Sequence, residues 1–160
     1  MDAAPCRYLE EHTLTAEQMW SEYIRLHPEA AEAEYEAWQY GDDPDALARL
    51  TCSGIKTATA SALALYELEG ESLPEAGEFS VILWEDDQAA CVIRTDLVYT
   101  VPFDQVSAEQ AWKEGEGDRS LEYWRRVHRA FFAKEMDAAG LAFTEDMGVV
   151  CEEFSVVYPL

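Results

Sequence analysis

The 160-residue chain is read as one α+β domain, a small curved sheet or barrel flanked by helices. Three observations lead there. Helical periodicity dominates the first quarter, strand periodicity appears in the middle and again at the end, and one long amphipathic segment stands between strands. Nearly half of the residues are apolar (49%) and 19 are aromatic, which supports a sizeable core and excludes overall disorder.

Residues 1–13 carry little pattern and are expected to fray or lie along the surface. Thr15-Ala-Glu-Gln18 is a capping box, in which the threonine hydroxyl takes the Gln18 N–H and the glutamine side chain reaches back. Behind it Met19, Tyr23 and Leu26 recur at helical spacing, with Trp20 and Ile24 beside them, so a helix is expected over 16–27, ending before Pro28. Ala30 to Gln39, rich in alanine and glutamate with Tyr35 and Trp38 three apart, reads as a second short helix. Tyr40-Gly-Asp-Asp-Pro-Asp45 is a turn by composition. Asp43 or Asp45 can cap a third helix over 46–52, which delivers the chain to Gly54.

Ala60 to Glu69 has helical composition, and 70–77 reads as a loop. The period then changes. Phe79 to Trp84 is a short apolar run, and Ala90 to Val101 alternates with Cys91, Ile93, Leu97, Tyr99 and Val101 on one face, so an antiparallel pair is expected across the polar connection 85–88. Pro102 ends that strand or places it at an edge. Ser107-Ala-Glu-Gln110 is a second capping box, opening a helix to about Lys113. Asp118 or Ser120 caps the longest helix, 121–139, with Leu121, Trp124, Val127, Phe131 and Met136 as its buried stripe, and Gly140 stops it. Val149 to Tyr158 alternates again and should close the sheet.

The net charge of −22 argues against a broad, sequence-independent grip on nucleic acid, which depends on neutralising phosphates with Lys and Arg. Six of the eleven cations, Lys113, Arg119, Arg125, Arg126, Arg129 and Lys134, lie in one short region. The four cysteines are widely separated and lack zinc spacing; His12, His27 and His128 are scattered, so neither a metal nor another cofactor is expected. His128 reads as a polar-face residue beside Arg125 and Arg129. Glu152 and Glu153 imitate a carboxylate pair but point to opposite faces of a strand. No secretory leader and no membrane-length apolar run is visible, so a reduced, cytoplasmic setting is expected.

One stretch stands out chemically: Thr51-Cys-Ser-Gly-Ile-Lys-Thr-Ala-Thr-Ala-Ser61. Lys56 is the only basic residue between Arg49 and Arg94 and sits among small hydroxyl residues in the pattern G-x-K-x-x-T, formed by Gly54, Lys56 and Thr59. Ile55 stands where a phosphate loop needs its second glycine. The same residues also suit a helix C-cap, a surface lysine and strand-forming threonines. On a regular strand Lys56 and Thr59 face opposite ways, so they converge only through a kink or turn. Glu114-Gly-Glu-Gly-Asp118 holds three carboxylates on a backbone that two glycines let turn inward, although such segments are commonly solvated turns.

Together with the loop Leu73-Pro-Glu-Ala-Gly77 and the continuation Arg119-Ser-Leu-Glu-Tyr-Trp124, these segments resemble the ASCH domain family. More narrowly they resemble its bacterial branch of predicted RNA-binding proteins with an N-terminal helical extension. The similarity spans Trp38 to Tyr158, dividing the chain into an extension, 1–37, and a PUA-like domain, 38–160. The resemblance implies a PUA-like β-barrel with helices around it and a cleft at its side. It also implies a link to RNA, with some members deacetylating N(4)-acetylcytidine and at least one cleaving single-stranded RNA. A modified nucleoside or single-stranded RNA is thus the expected partner, with neither DNA nor membrane.

The family's Lys, Thr and Glu set falls on Lys56, Thr59 and a glutamate of the 114–116 stretch, the register favouring Glu116 over Glu114. Ser61 stands where the family pattern often carries arginine, removing a fork for phosphate or carboxylate oxygens; Arg119, Arg125 or His128 are the replacements within reach. The expected chemistry has Lys56, its pKa lowered in a dry cleft, acting as base toward Thr59 or water. Glu116 serves the leaving amine, and a backbone N–H near Gly54 receives the oxyanion. Tyr40, Trp38 and Tyr123 are the candidate stacking platforms. The alternatives are a non-catalytic RNA-binding module and a sensor without chemistry.

Overall fold

The computed structural model describes residues 14–160, so the expectation for residues 1–13 lies outside the described residues. Five strands, β1 (Tyr35–Trp38), β2 (Ala58–Ala62), β3 (Phe79–Leu83), β4 (Ala89–Pro102) and β5 (Gly148–Tyr158), form one sheet in the order β1-β3-β4-β5-β2. β1 runs parallel to β3, and the other neighbours are antiparallel. The expected hairpin of β3 and β4 and the closing C-terminal strand are present, with Val81 opposite Val92 and Tyr99 opposite Cys151.

Five α-helices complete the described residues: α1 (Ala16–Leu26), α2 (Pro44–Cys52), α3 (Leu63–Glu69), α4 (Ala108–Glu114) and α5 (Leu121–Ala138). Their starts follow local chemistry. Thr15 and Gln18 form the full capping box on α1, Ser107 caps α4, and Asp43 rather than Asp45 caps α2. Ser120 caps α5, while Asp118 accepts the Ser120 N–H.

Two expectations of secondary structure fail. The stretch 30–39 is not a helix: a 3-10 turn covers Pro28–Ala30, and Tyr35–Trp38 is a strand paired with Phe79–Ile82. Alanine and glutamate favour a helix locally, but Tyr35 stacks against Trp20 of α1 with ring centroids 4.9 Å apart, and tertiary packing outweighs propensity. The first residues of 60–69 likewise belong to β2, and the helix starts only at Leu63.

The barrel implied by the resemblance is not closed. β1 and β2 are the two edges of an open sheet, and a cleft lined by residues of both lies between them. Register shifts in β4 between Val92 and Ile93 and between Thr95 and Leu97 bend this long strand, and such bulges increase sheet twist. The sheet therefore curls, and its two edges flank one crevice lined by side chains of both.

Three apolar clusters hold this shape. α1 packs Met19, Trp20 and Tyr23 on Val81, Leu83 and Val92. Ala48 of α2 packs with Tyr40 on Ile82, Trp84 and Ile93. Trp124, Phe132 and Met136 of α5 cover Phe103, Val149 and Cys151. The buried stripe of α5 runs through Trp124, His128, Phe132 and Met136, so Val127 and Phe131 are flanking, half-buried positions.

Candidate active site in the seam of the sheet

Lys56 enters the seam because of the turn that ends α2. Gly54 takes a left-handed conformation (φ 79°), and the N–H groups of Ile55 and Lys56 both donate to the Leu50 carbonyl at 3.0 Å. The next N–H, of Thr57, donates to the Lys113 carbonyl at 2.7 Å and ties the turn to the end of α4. Lys56 therefore precedes β2 instead of lying on it. A turn, not strand alternation, brings Lys56 and Thr59 into the same cleft.

The lysine side chain is 1% exposed. Its Nζ lies 3.4 Å from Glu114 Oε1, 3.7 Å from Glu116 Oε2 and 5.3 Å from the centre of the Tyr40 ring. Tyr40 is buried, its hydroxyl 2.7 Å from Thr51 Oγ1, and burial pushes its pKa well above the usual phenol value.

Both glutamates flank a glycine that cannot be replaced freely. Gly115 has φ 76°, and a Cβ there would lie 2.9 Å from the Ile55 carbonyl oxygen. This close approach of the α4 end to the Lys56 turn aims Glu114 inward. Its carboxylate is buried and surrounded by donors: Trp124 Nε1 in a short hydrogen bond, Gln110 Nε2 at 3.3 Å, and His128 Nε2 at 3.4 Å besides Lys56. Burial alone would raise its pKa, but the charges of Lys56 and His128 and the donated hydrogen bonds outweigh it and hold the group at about 2.

Glu116, two residues on, behaves oppositely. Its side chain is 18% exposed, and burial, aided by the Glu114 charge, raises its pKa despite Lys56 and His128. The site thus holds one fixed carboxylate and one carboxyl poised to exchange a proton, the separation that acid–base chemistry uses.

The cleft encloses about 950 Å³. Besides Lys56, Thr59, Glu114 and Glu116 it is lined by Trp38, Tyr40, Ser61 and Tyr66, the last two joined through their hydroxyls at 2.9 Å. Eight carboxylates line it: Glu36, Asp42, Glu71, Glu78, Glu114, Glu116, Glu135 and Glu152.

Other expected ligand-binding residues lie outside the lining. The Gly54 N–H is spent on the Thr51 carbonyl. Arg119 stacks on Trp112 at 3.8 Å and donates to the carbonyls of Trp112 and Ile55, bracing the lysine turn from outside. Arg125 donates to the Asp104 carbonyl, and Tyr123 lies under Gly117 and beside the Arg126 guanidinium.

His128 is not on the polar face with Arg125 and Arg129, where the sequence suggests it. It is 8% exposed, lines the cleft, and stacks on Trp124 with centroids 4.1 Å apart and planes at 12°. Its spacing of four from both Trp124 and Phe132 was the available signal. Donor atoms of Glu114, Glu116 and His128 lie within 4.8 Å of one another, a distance compatible with a metal. The Lys56 ammonium, however, already faces both carboxylates, so the cluster is a lysine–carboxylate–imidazole set.

An open, curled sheet with a buried lysine and two unlike carboxyls in its seam defines an α+β protein built around one acidic cleft. A family model described as the ASCH domain matches residues 36–158, and the chain belongs to that family. The crystal structure of an ASCH domain from Lactobacillus crispatus JV V101 superposes with a TM-score of 0.86 at 30% identity, covering 98% of this chain and 100% of that one. The protein EF3133 from Enterococcus faecalis V583 is 35% identical over 88% of this chain and 86% of its own, with a TM-score of 0.78. The hypothetical protein PH0355, 16% identical with a TM-score of 0.51 over 77% of this chain and 97% of its own, shares the fold alone. No curated protein is similar to the chain.

Proposed function

We propose that the cleft receives a nucleobase and hydrolyses an exocyclic amide on it, with N(4)-acetylcytidine as the representative substrate. The observation that carries this reading is the divergence of Glu114 and Glu116 around a single ammonium. Facing the ionised Glu114, the Lys56 ammonium is a donor, so its role is to polarise the amide carbonyl and receive the oxyanion instead of acting as the base. Glu116 takes that part. Ionised Glu116 removes a proton from water as the water oxygen bonds to the carbonyl carbon. It returns the proton to the nitrogen as the C–N bond breaks, giving a carboxylic acid and the exocyclic amine. Thr59 orients the water from the edge of β2, and Trp38 and Tyr40 flank the base.

The family's association with RNA fits a nucleobase ligand, and the eight carboxylates of the lining favour the base of a free nucleoside over a phosphate chain. Purified protein is expected to release cytidine from N(4)-acetylcytidine, followed by chromatography. Lys56→Ala and Glu116→Gln should each lose about 10²-fold or more in kcat. A wild-type protein inert toward a panel of N-acylated nucleosides would sink the proposal.

A further inference from the structure

His128 is held so that each of its ring nitrogens meets an acceptor. Nδ1 lies 2.9 Å from the Trp124 carbonyl oxygen, which can only accept, so Nδ1 carries a proton. Nε2 lies 3.4 Å from Glu114 Oε1, and an ionised carboxylate also only accepts. The ring is stacked on Trp124 and packed against Phe132, and a 180° flip in that plane would put Cδ2 and Cε1 against the two acceptors. The charged groups facing it are Glu114 at the end of α4, Glu116 in the following loop and, across Glu114, Lys56 from the turn after α2.

We propose that His128 is a positioning residue that stays an imidazolium, keeping Glu114 a carboxylate and leaving Glu116 the only carboxyl of the lysine cluster that exchanges protons. Two cations then share the charge of Glu114. Lys56, no longer its sole counter-ion, keeps donor capacity for a substrate carbonyl. Without His128 the lone ammonium would face two carboxylates, and the proton would be divided between them. The catalytic part of this inference rests on the proposed role of Glu116; the protonation part does not.

Two measurements need no substrate. Nitrogen NMR of histidine-labelled protein near pH 7 should show both His128 ring nitrogens protonated, and a neutral ring with one N–H overturns the proposal. Carboxyl-carbon NMR should show the Glu116 titration displaced to higher pH in His128→Gln, which keeps a side-chain amide donor but removes the charge; an unmoved titration overturns it equally. If His128→Gln does not fold, the wild-type imidazole spectrum alone decides. Where wild type hydrolyses the acyl nucleoside, the acid limb of the kcat/KM profile should move upward in His128→Gln by the same amount as the Glu116 titration. Absence of turnover in wild type would count against the hydrolase reading while the two spectra still judged this one.

Discussion

Glu114 and Glu116 flank one glycine and share an ammonium and a histidine, yet differ in what surrounds their oxygens. Glu114 is buried among four side-chain donors, so it behaves as a structural counter-ion whose loss leaves His128 without its carboxylate and Lys56 with Glu116 alone. Glu114→Gln should therefore destabilise the fold by roughly 3–5 kcal/mol, as breaking a buried pair does. Glu116→Gln, at the half-buried position, should change denaturation midpoints far less, and urea unfolding of the two variants compares them directly. The pH dependence follows from the same shifts. The folded pKa of Glu114, about 2, lies below its ordinary 4.5, so its contribution is complete above about 4.5 and disappears as pH falls toward 2. His128 is raised above 6.5, so its contribution is complete below that value and fades as pH climbs past the folded pKa. Urea midpoints of wild type should decline on both sides, and Glu114→Gln should flatten the acid side between pH 4.5 and 2.

Among the elements, the joint between α4 and α5 matters most, because it sets where both glutamates point. Gly115 is left-handed and lies against the Ile55 backbone, so Gly115→Ala adds a clash with a main-chain oxygen to the roughly 1–2 kcal/mol that a side chain costs in that conformation. Gly70, also left-handed, has nothing within 4 Å of its Cβ position, and Gly70→Ala carries the conformational cost alone. Thermal melts should place Gly115→Ala clearly below Gly70→Ala, and only the former should impair turnover, since its strain passes into the Lys56 turn. The helix starts on either side of this joint were legible in the sequence because capping is local: Ser107 and Gln110, or Ser120 and Tyr123, meet within one turn. The strand at Tyr35–Trp38 was not, because its partner lies more than 40 residues away and its own residues favour a helix. The lysine and the acidic loop were visible as an unusual motif. Their meeting with His128 was not, because it depends on which face α5 turns to the seam.

At the scale of the whole molecule, 33 acidic residues against 11 basic ones surround a cleft whose own lining is acidic. The basic residues clustered between 113 and 134 do not offset this field, since several are already engaged: Lys113 with Glu109 and Glu153, Arg129 with Glu145, and Arg119 and Arg125 with backbone carbonyls. A phosphate chain approaching the seam meets repulsion that reaches tens of ångströms at low salt and about 8 Å at physiological salt, whereas an uncharged nucleoside is indifferent to it. Two salt responses should then separate the possible ligands. Affinity for a single-stranded oligonucleotide should stay weak and fail to rise as salt is lowered, because no net release of counter-ions accompanies binding to an acidic surface. Affinity for the acyl nucleoside, measured by calorimetry on the Glu116→Gln variant, should be nearly constant over the same range. An oligonucleotide affinity that climbs steeply on dilution of salt would instead mean that a cationic face outside the cleft governs recognition, and the small-ligand reading of the seam would have to be abandoned.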